Sequence, residues 1–353
     1  MDFSTFPLLA NVAVFAVAAA GVWFCGSYLS AFADLIAERT GLGKAFAGVL
    51  LLGTATSLPE IATTITASLG GNASLAGANL LGGVAMQVAI LAMIDAVALR
   101  GRALTFFSPR PALIMQGVLM ILLTALVGGA IASREFAAIG WFGAWSAILG
   151  VSYLAALYVI YRYEGSSRWE PTGEVAEPPQ SAVDLKDEAG RRYADQPASR
   201  IWTYFTLCCV GVLITGWLVA STGEAIAEQT GLGSSFVGAT LVALATSLPE
   251  VSTTYSAVRM GAYSMAVGNI FGTNCLTVAL FPLADLCYRD GPIFNALDPT
   301  AGFLATLGIV VTCAYVWGIL ERRDRTVLGM GQDSAAVLLI YTGGMAIYFF
   351  IGP

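Results

Sequence analysis

The chain contains no histidine. That absence removes Ser-His nucleophilic catalysis, zinc sites of the HExxH type and histidine proton relays. Charge is scarce as well: Asp, Glu, Lys and Arg make up 11% of 353 residues, against about 25% in an ordinary soluble domain. The formal net charge of −6 says little about partners, because many of the acids crowd into one central stretch. Nothing in the chain points to nucleic acid or to an obligate protein partner. Cys25, Cys208, Cys209, Cys275, Cys287 and Cys313 have no metal-ligand spacing and read as small buried hydrophobes. The first apolar segment lacks a basic flank, Asp2 being its only early charge, and runs too long for a signal peptide.

What the chain has in excess is apolar surface: 57% of its residues are hydrophobic and its mean hydropathy is +0.75. A water-soluble core of this size cannot hide that much, so the chain reads as an integral, multi-pass membrane protein, with the lipid bilayer as its partner. Spanning a bilayer as a helix takes about 20 residues. Runs of that length fall at 7–31, 44–69, 73–99, 111–133, 137–161, 201–221, 234–258, 262–288, 300–320 and 333–352. The expected fold is therefore all-α, with ten transmembrane helices. If the N-terminus lies outside, the inner loops take all of the 17 basic residues except Arg134 and Arg289, as the positive-inside rule requires. Both termini are then outside, in a plasma or inner membrane.

The chain also repeats itself. Ala55-Thr56-Ser57-Leu58-Pro59-Glu60 returns as Ala245-Thr246-Ser247-Leu248-Pro249-Glu250, an offset of 190. The same offset relates Glu38 to Glu228, Thr40-Gly41-Leu42-Gly43 to Thr230-Gly231-Leu232-Gly233, Asn79 to Asn269, Gly82 to Gly272 and Asp95 to Asp285. This is a duplicated half-protein rather than a solenoid unit. Five helices per copy is an odd number, so the copies must enter the membrane in opposite directions. The expected domains are a first repeat at 1–161, a cytoplasmic polar linker at 162–200 and a second repeat at 201–353. The linker holds Pro171, Pro178, Pro179 and Pro197 among many acids and no apolar periodicity. It reads as a solvated tether, with a regulatory cation-binding segment as the alternative.

Glu60 and Glu250 carry the chemistry. A charge at mid-membrane costs at least about 2.5–3.5 kcal/mol on insertion scales, so two at equivalent positions imply a use. Pro59 and Pro249 cannot donate a backbone hydrogen bond, and their rings crowd the carbonyls of Ala55 and Ala245. Freed carbonyls beside a carboxylate, with the hydroxyls of Thr56, Ser57, Thr246 and Ser247 nearby, form a hard-oxygen cluster. Such a cluster suits Na⁺, Ca²⁺ or Mg²⁺ rather than zinc or copper. Asn79 and Asn269 either bond a neighbouring helix or line the ion path. Gln87 and Thr277 stand 27 positions after the two glutamates, and Asn79 and Gln87 are two turns apart on one face.

These motifs resemble the cation/Ca²⁺ exchanger superfamily, and within it the sodium/calcium exchangers. The resemblance rests on Gly53-Thr54-Ala55-Thr56-Ser57-Leu58-Pro59-Glu60 with Asn79 and Gly82. Its second half is Ala245-Thr246-Ser247-Leu248-Pro249-Glu250 with Gly268-Asn269 and Gly272-Thr273-Asn274. It implies alternating-access antiport of Na⁺ (or H⁺) against Ca²⁺, with Glu60 and Glu250 as central ligands. It further implies that Thr56, Ser57, Thr246 and Ser247 supply oxygens and that the carbonyls of Gly53 and Ala243 reach sodium. The first and sixth helices would be the sliding gates. The chain departs from the family pattern in four places. Gly83 and Thr273 follow the second glycines, where the family usually has serine, and Gln87 and Thr277 stand where relatives carry Asn or Asp. One carboxylate and one hydroxyl are thereby missing.

Three other functions compete. An antiporter of the same fold could move another cation such as Mg²⁺. An intramembrane enzyme would need a nucleophile or acid pair, and the chain has neither G-x-S-x-G nor an aspartate pair within its core helices. A passive channel would not require duplicated, broken, inverted helices. No organic cofactor is expected; Ca²⁺ and Na⁺ enter as transported ions.

Overall fold

The computed structural model describes residues 3–40, 56–99, 102–108, 110–163, 192–193, 195–259, 261 and 263–351. Among these the chain is almost wholly helical. The main helices are α1 (Leu8–Thr40), α2 (Leu58–Leu69), α3 (Ala73–Ile94), α4 (Pro111–Ser133), α5 (Ala144–Tyr163) and α6 (Ala198–Thr230). They continue with α7 (Ser234–Thr246), α8 (Leu248–Arg259), α9 (Tyr263–Val278), α10 (Phe281–Cys287), α11 (Pro299–Glu321) and α12 (Gln332–Ile351). Among the described residues seven helical spans are long and apolar enough to cross a bilayer, and the bent pair α7–α8 makes an eighth. Lipid-facing side chains such as Leu9, Leu154, Leu339 and Phe350 stay exposed on the outer helices. The α3 segment, by contrast, is buried along nearly its whole length.

Several boundaries differ from those read in the sequence. α1 and α6 each run 33 residues, about 50 Å at 1.5 Å per residue, where 7–31 and 201–221 were expected. Their second halves mix Ser, Glu and Asp into the helix, which ends a hydropathy window but not a helix. The sixth helix also begins inside the expected linker, and the rest of that linker lies almost entirely outside the described residues. The run 137–161 is not one helix: Ala138–Ile139 and Phe142–Gly143 pair as a hairpin before α5 begins. Gly140 turns that hairpin with φ 65°, a conformation glycine adopts without penalty. A matching hairpin, Thr326–Val327 with Met330–Gly331, precedes α12. The run 262–288 is matched by one span, Tyr263–Cys287, which is interrupted after Val278; Pro282 sits in the first turn of α10, where its missing N–H costs nothing.

Two buried aspartates tie the hairpins to the rest of the bundle. Asp285 accepts hydrogen bonds from Ile293 N at 2.7 Å and from Gly143 N at 2.7 Å. Asp95, its partner at the 190 offset, accepts from Leu104 N at 2.9 Å and Gly331 N at 2.9 Å. Each aspartate therefore holds a hairpin that belongs to the other half of the chain. Asp285→Ala strips two N–H groups of their acceptor, at about 1–3 kcal/mol for each buried group left bare. A clear fall in the unfolding midpoint in detergent is expected, and an unchanged midpoint would show that the tie is redundant.

Candidate functional site

The motif residues end one helix and begin another. In the second copy Ser247 interrupts the helix (φ −83°, ψ 3°), and α7 and α8 meet at 50°. In the first copy Ser57 has nearly the same dihedrals (φ −85°, ψ 5°), and Pro59 stands in the first turn of α2. Proline fits there because the first-turn N–H groups lack helical partners anyway. Glu60 and Glu250 consequently sit in the first turns of α2 and α8, at the positive ends of two half-helices, where a negative charge is favoured.

Glu60 is 2% exposed and Glu250 0%, and the two carboxylates lie within electrostatic range of one another. None of their four oxygens accepts a hydrogen bond from a described residue. Burying an ionised carboxylate without a partner is expensive, so these oxygens are presented to something other than protein. Thr56 faces the Glu250 carboxylate. Ser57 Oγ, Gln87 Oε1 and Asn274 Oδ1 are likewise buried without a partner. Together they form an all-oxygen set, suited to hard cations.

The surrounding hydrogen bonds show how the set is held. Asn79 Nδ2 donates to Thr63 Oγ1 at 3.1 Å, and Thr246 Oγ1 donates to Asn79 Oδ1 at 3.4 Å, which links the two motifs across the halves. Asn269 Nδ2 donates to Thr253 Oγ1 and Thr254 Oγ1 at 3.1 and 3.2 Å. Gln87 Nε2 donates to Ser247 Oγ at 3.2 Å. Asn274 Nδ2 donates to Val84 O at 3.3 Å. Asn274 and Val84 are themselves 190 positions apart, so α3 and α9 cross where equivalent residues meet.

Most of the expected site residues thus converge: Glu60, Glu250, Thr56, Ser57, Thr246, Ser247, Asn79, Gln87 and, half-buried, Asn269. Two are otherwise engaged. The Ala243 carbonyl already accepts from Ser247 N at 3.1 Å, and the one hydroxyl proton of Thr246 is shared between it, at 3.2 Å, and Asn79 Oδ1, at 3.4 Å. Thr277 is buried, but its hydroxyl donates to Thr273 O at 3.0 Å on its own helix. Thr273 is buried and supplies that backbone carbonyl. Gly53 lies outside the described residues. Two braces, Thr63 and Thr253, went unread in the sequence, although they repeat at the same offset of 190. Asn274 lies within the second motif but was given no role, because it stands opposite a valine in the other copy.

Glycines let the long helices touch this site. A Cβ on Gly26 of α1 would stand 2.5 Å from Pro249 Cγ, and one on Gly216 of α6 would stand 2.6 Å from Ala62 Cβ and 3.4 Å from Pro59 O. Each long helix therefore packs its backbone closely against the motif helix of the opposite half.

Comparison with known proteins identifies the family and the fold. The family model for the sodium/calcium exchanger protein matches residues 10–163 and 200–351. The inner membrane protein YrbG of Escherichia coli (strain K12) is 22% identical over 325 residues, covering 91% of each chain. Among solved structures, that of an H⁺/Ca²⁺ exchanger, CAX, aligns with a TM-score of 0.67 at 12% identity, over 98% of this chain and 86% of the other. The sodium-calcium exchanger NCX_Mj aligns with a TM-score of 0.61 at 15% identity, over 96% and 99%. With both halves of the chain matched, it belongs to the sodium/calcium exchanger protein family, multi-pass membrane proteins that carry cations by antiport.

Proposed function

We propose that the chain is a secondary-active antiporter that exchanges Na⁺ or H⁺ for Ca²⁺ by alternating access at the paired glutamates. One observation carries the reading: four buried carboxylate oxygens, on two half-helices from opposite halves, with no hydrogen-bond partner among the described residues. In this reading Glu60 and Glu250 hold Ca²⁺, and Ser57, Thr56, Asn274 and the Oε1 of Gln87 complete the shell. Asn79, Asn269, Thr246 and Ser247 fix its shape. The fold is ten helices in two inverted repeats, at 1–161 and 201–353, joined by a cytoplasmic linker at 162–200, with both termini outside. The contact of Asn274 with Val84 supports the two-fold relation. The test is ⁴⁵Ca²⁺ uptake into proteoliposomes with and without an outward Na⁺ gradient, and again with an outward H⁺ gradient. Uptake that neither gradient drives would overturn the reading.

Movement of α1 and α6 past the motifs needs the two glycine contacts. Gly216→Leu places a branched side chain where Ala62 and Pro59 already lie. Exchange is expected to fall steeply, while Ca²⁺ still protects the purified protein from thermal unfolding. Undiminished exchange would mean that α6 does not move against α2.

A further inference from the structure

We propose a second cation site, at the end of the bundle opposite Asn72, formed by Asp95 and Asp333 with the hydroxyls of Tyr315 and Ser334, and taking Ca²⁺ from solution. The site does not depend on the role assigned to the glutamates. Asp95 lies eight residues beyond Gln87 along the same helix, about 12 Å at 1.5 Å per residue.

The geometry centres on Gly331, in the second hairpin. The space that a Cβ there would fill is bounded by Asp333 Oδ1 and, at 3.1 Å, by Asp95 Oδ2. Two carboxylates thus share the room of a single methyl group. Asp95 is fully buried and has one N–H on each oxygen. Asp333 lies against the backbone of Gly318, and its Oδ2 is buried with no hydrogen-bond partner among the described residues. Tyr315 stands one turn before Gly318 on α11. It is 0% exposed, its hydroxyl has no partner, and it faces both Asp95 and Asp333. Ser334 is also fully buried, with its hydroxyl against the Asp95 carboxylate. A carboxylate in the first turn of a helix, as Asp333 is in α12, is favoured by the helix dipole. That accounts for the acid but leaves the buried Tyr315 hydroxyl without a partner among the described residues, a cost that a shared ligand would remove.

The set is also one-sided. α11 and α12 correspond to α4 and α5 at an offset of 188, which puts Val127 opposite Tyr315 and Trp145 opposite Asp333. At the other hairpin the nearby acid is Glu135, which packs against Gly143 beside Asp285; its Oε1 accepts from Ala144 N and Trp145 N, and its Oε2 is buried with no partner among the described residues. The second acid is therefore common to both hairpins, and what the other half lacks is the Tyr315 hydroxyl. Two carboxylates and two hydroxyls leave room for water in a calcium shell of six to eight oxygens. Asp324 nearby is exposed and accepts from Ala103 N. Bound Ca²⁺ would clamp the hairpin to the end of α3, tying one compartment's calcium level to the bundle.

The experiment is ⁴⁵Ca²⁺ equilibrium binding to purified protein carrying Glu60→Gln and Glu250→Gln, followed by the same protein with Asp333→Asn or Tyr315→Phe added. The first protein is expected to keep one saturable site per chain. Asp333→Asn should weaken it by about tenfold or more, since charge count tunes calcium affinity over decades, and Tyr315→Phe by a smaller factor. No residual binding in the first protein would overturn the proposal, as would residual binding that neither added substitution weakens. Should Asp333→Asn fail to fold, the Tyr315→Phe comparison decides alone.

Discussion

Glu60→Gln and Glu250→Gln should each reduce Ca²⁺ exchange to below about 1% of the parent, since uncompensated charge in a buried site is worth several kcal/mol and about 1.4 kcal/mol is tenfold. Either substitution halves the fixed charge that faces the ion. Neither should unfold the protein. The four oxygens make no hydrogen bond with described residues, so an amide in place of a carboxylate loses no partner and escapes the cost of a buried ion. The apo protein is expected to unfold at the same temperature or a higher one, while the Ca²⁺-dependent rise in midpoint disappears. Exchange and thermal unfolding measured on the same preparations separate the two effects. Exchange that survives in both single mutants would place the ion elsewhere.

The second large effect concerns the number of coupling ions. With Glu60 and Glu250 as its carboxylates, the site carries a fixed charge of at most −2, matched by one Ca²⁺ or by two monovalent ions. A third Na⁺ would leave a net positive charge away from water, at a cost of several kcal/mol. The neighbouring positions do not help. Gln87 offers a neutral oxygen and spends its amide on Ser247, and Thr277 turns its hydroxyl back to Thr273 O. Exchange is therefore expected to be close to electroneutral, two Na⁺ or two H⁺ for each Ca²⁺. In proteoliposomes at clamped potential, the reversal condition should barely move with voltage. A shift of the size that three-for-one exchange demands would refute the charge argument. Thr277→Asp tests the same point from the other side. Thr277 is the counterpart of Gln87, which reaches Ser247, so by the duplication a carboxylate at 277 is expected to stand toward Ser57 and to tighten Ca²⁺ binding. An unchanged affinity would mean that position 277 does not line the site.

The sequence alone determined a good deal: a helical membrane protein, repeated at an offset of 190, with two glutamates at equivalent positions as its candidate site. Those conclusions rest on composition and on identity at a fixed spacing, both of which are local or periodic signals. Hydropathy was less reliable at the edges. It stopped α1 and α6 short because polar residues are tolerated in a helix that leaves the bilayer or packs against another. It also merged the 138–143 hairpin into a helix because an apolar run satisfies either conformation. What only the tertiary structure decided is which polar atoms have partners. Gln87 Oε1 is free because its amide nitrogen finds Ser247, 160 residues away. The Ala243 carbonyl is engaged by Ser247 N, and it competes with Asn79 Oδ1 for the Thr246 hydroxyl. Asp95 and Asp285 repeat in the sequence, but each is satisfied by a hairpin from the other half, aligned at 188 rather than 190. Whether a buried oxygen is available to an ion depends on every donor within about 3 Å of it, and in a chain folded from two interlocked halves most of those donors come from far along the sequence.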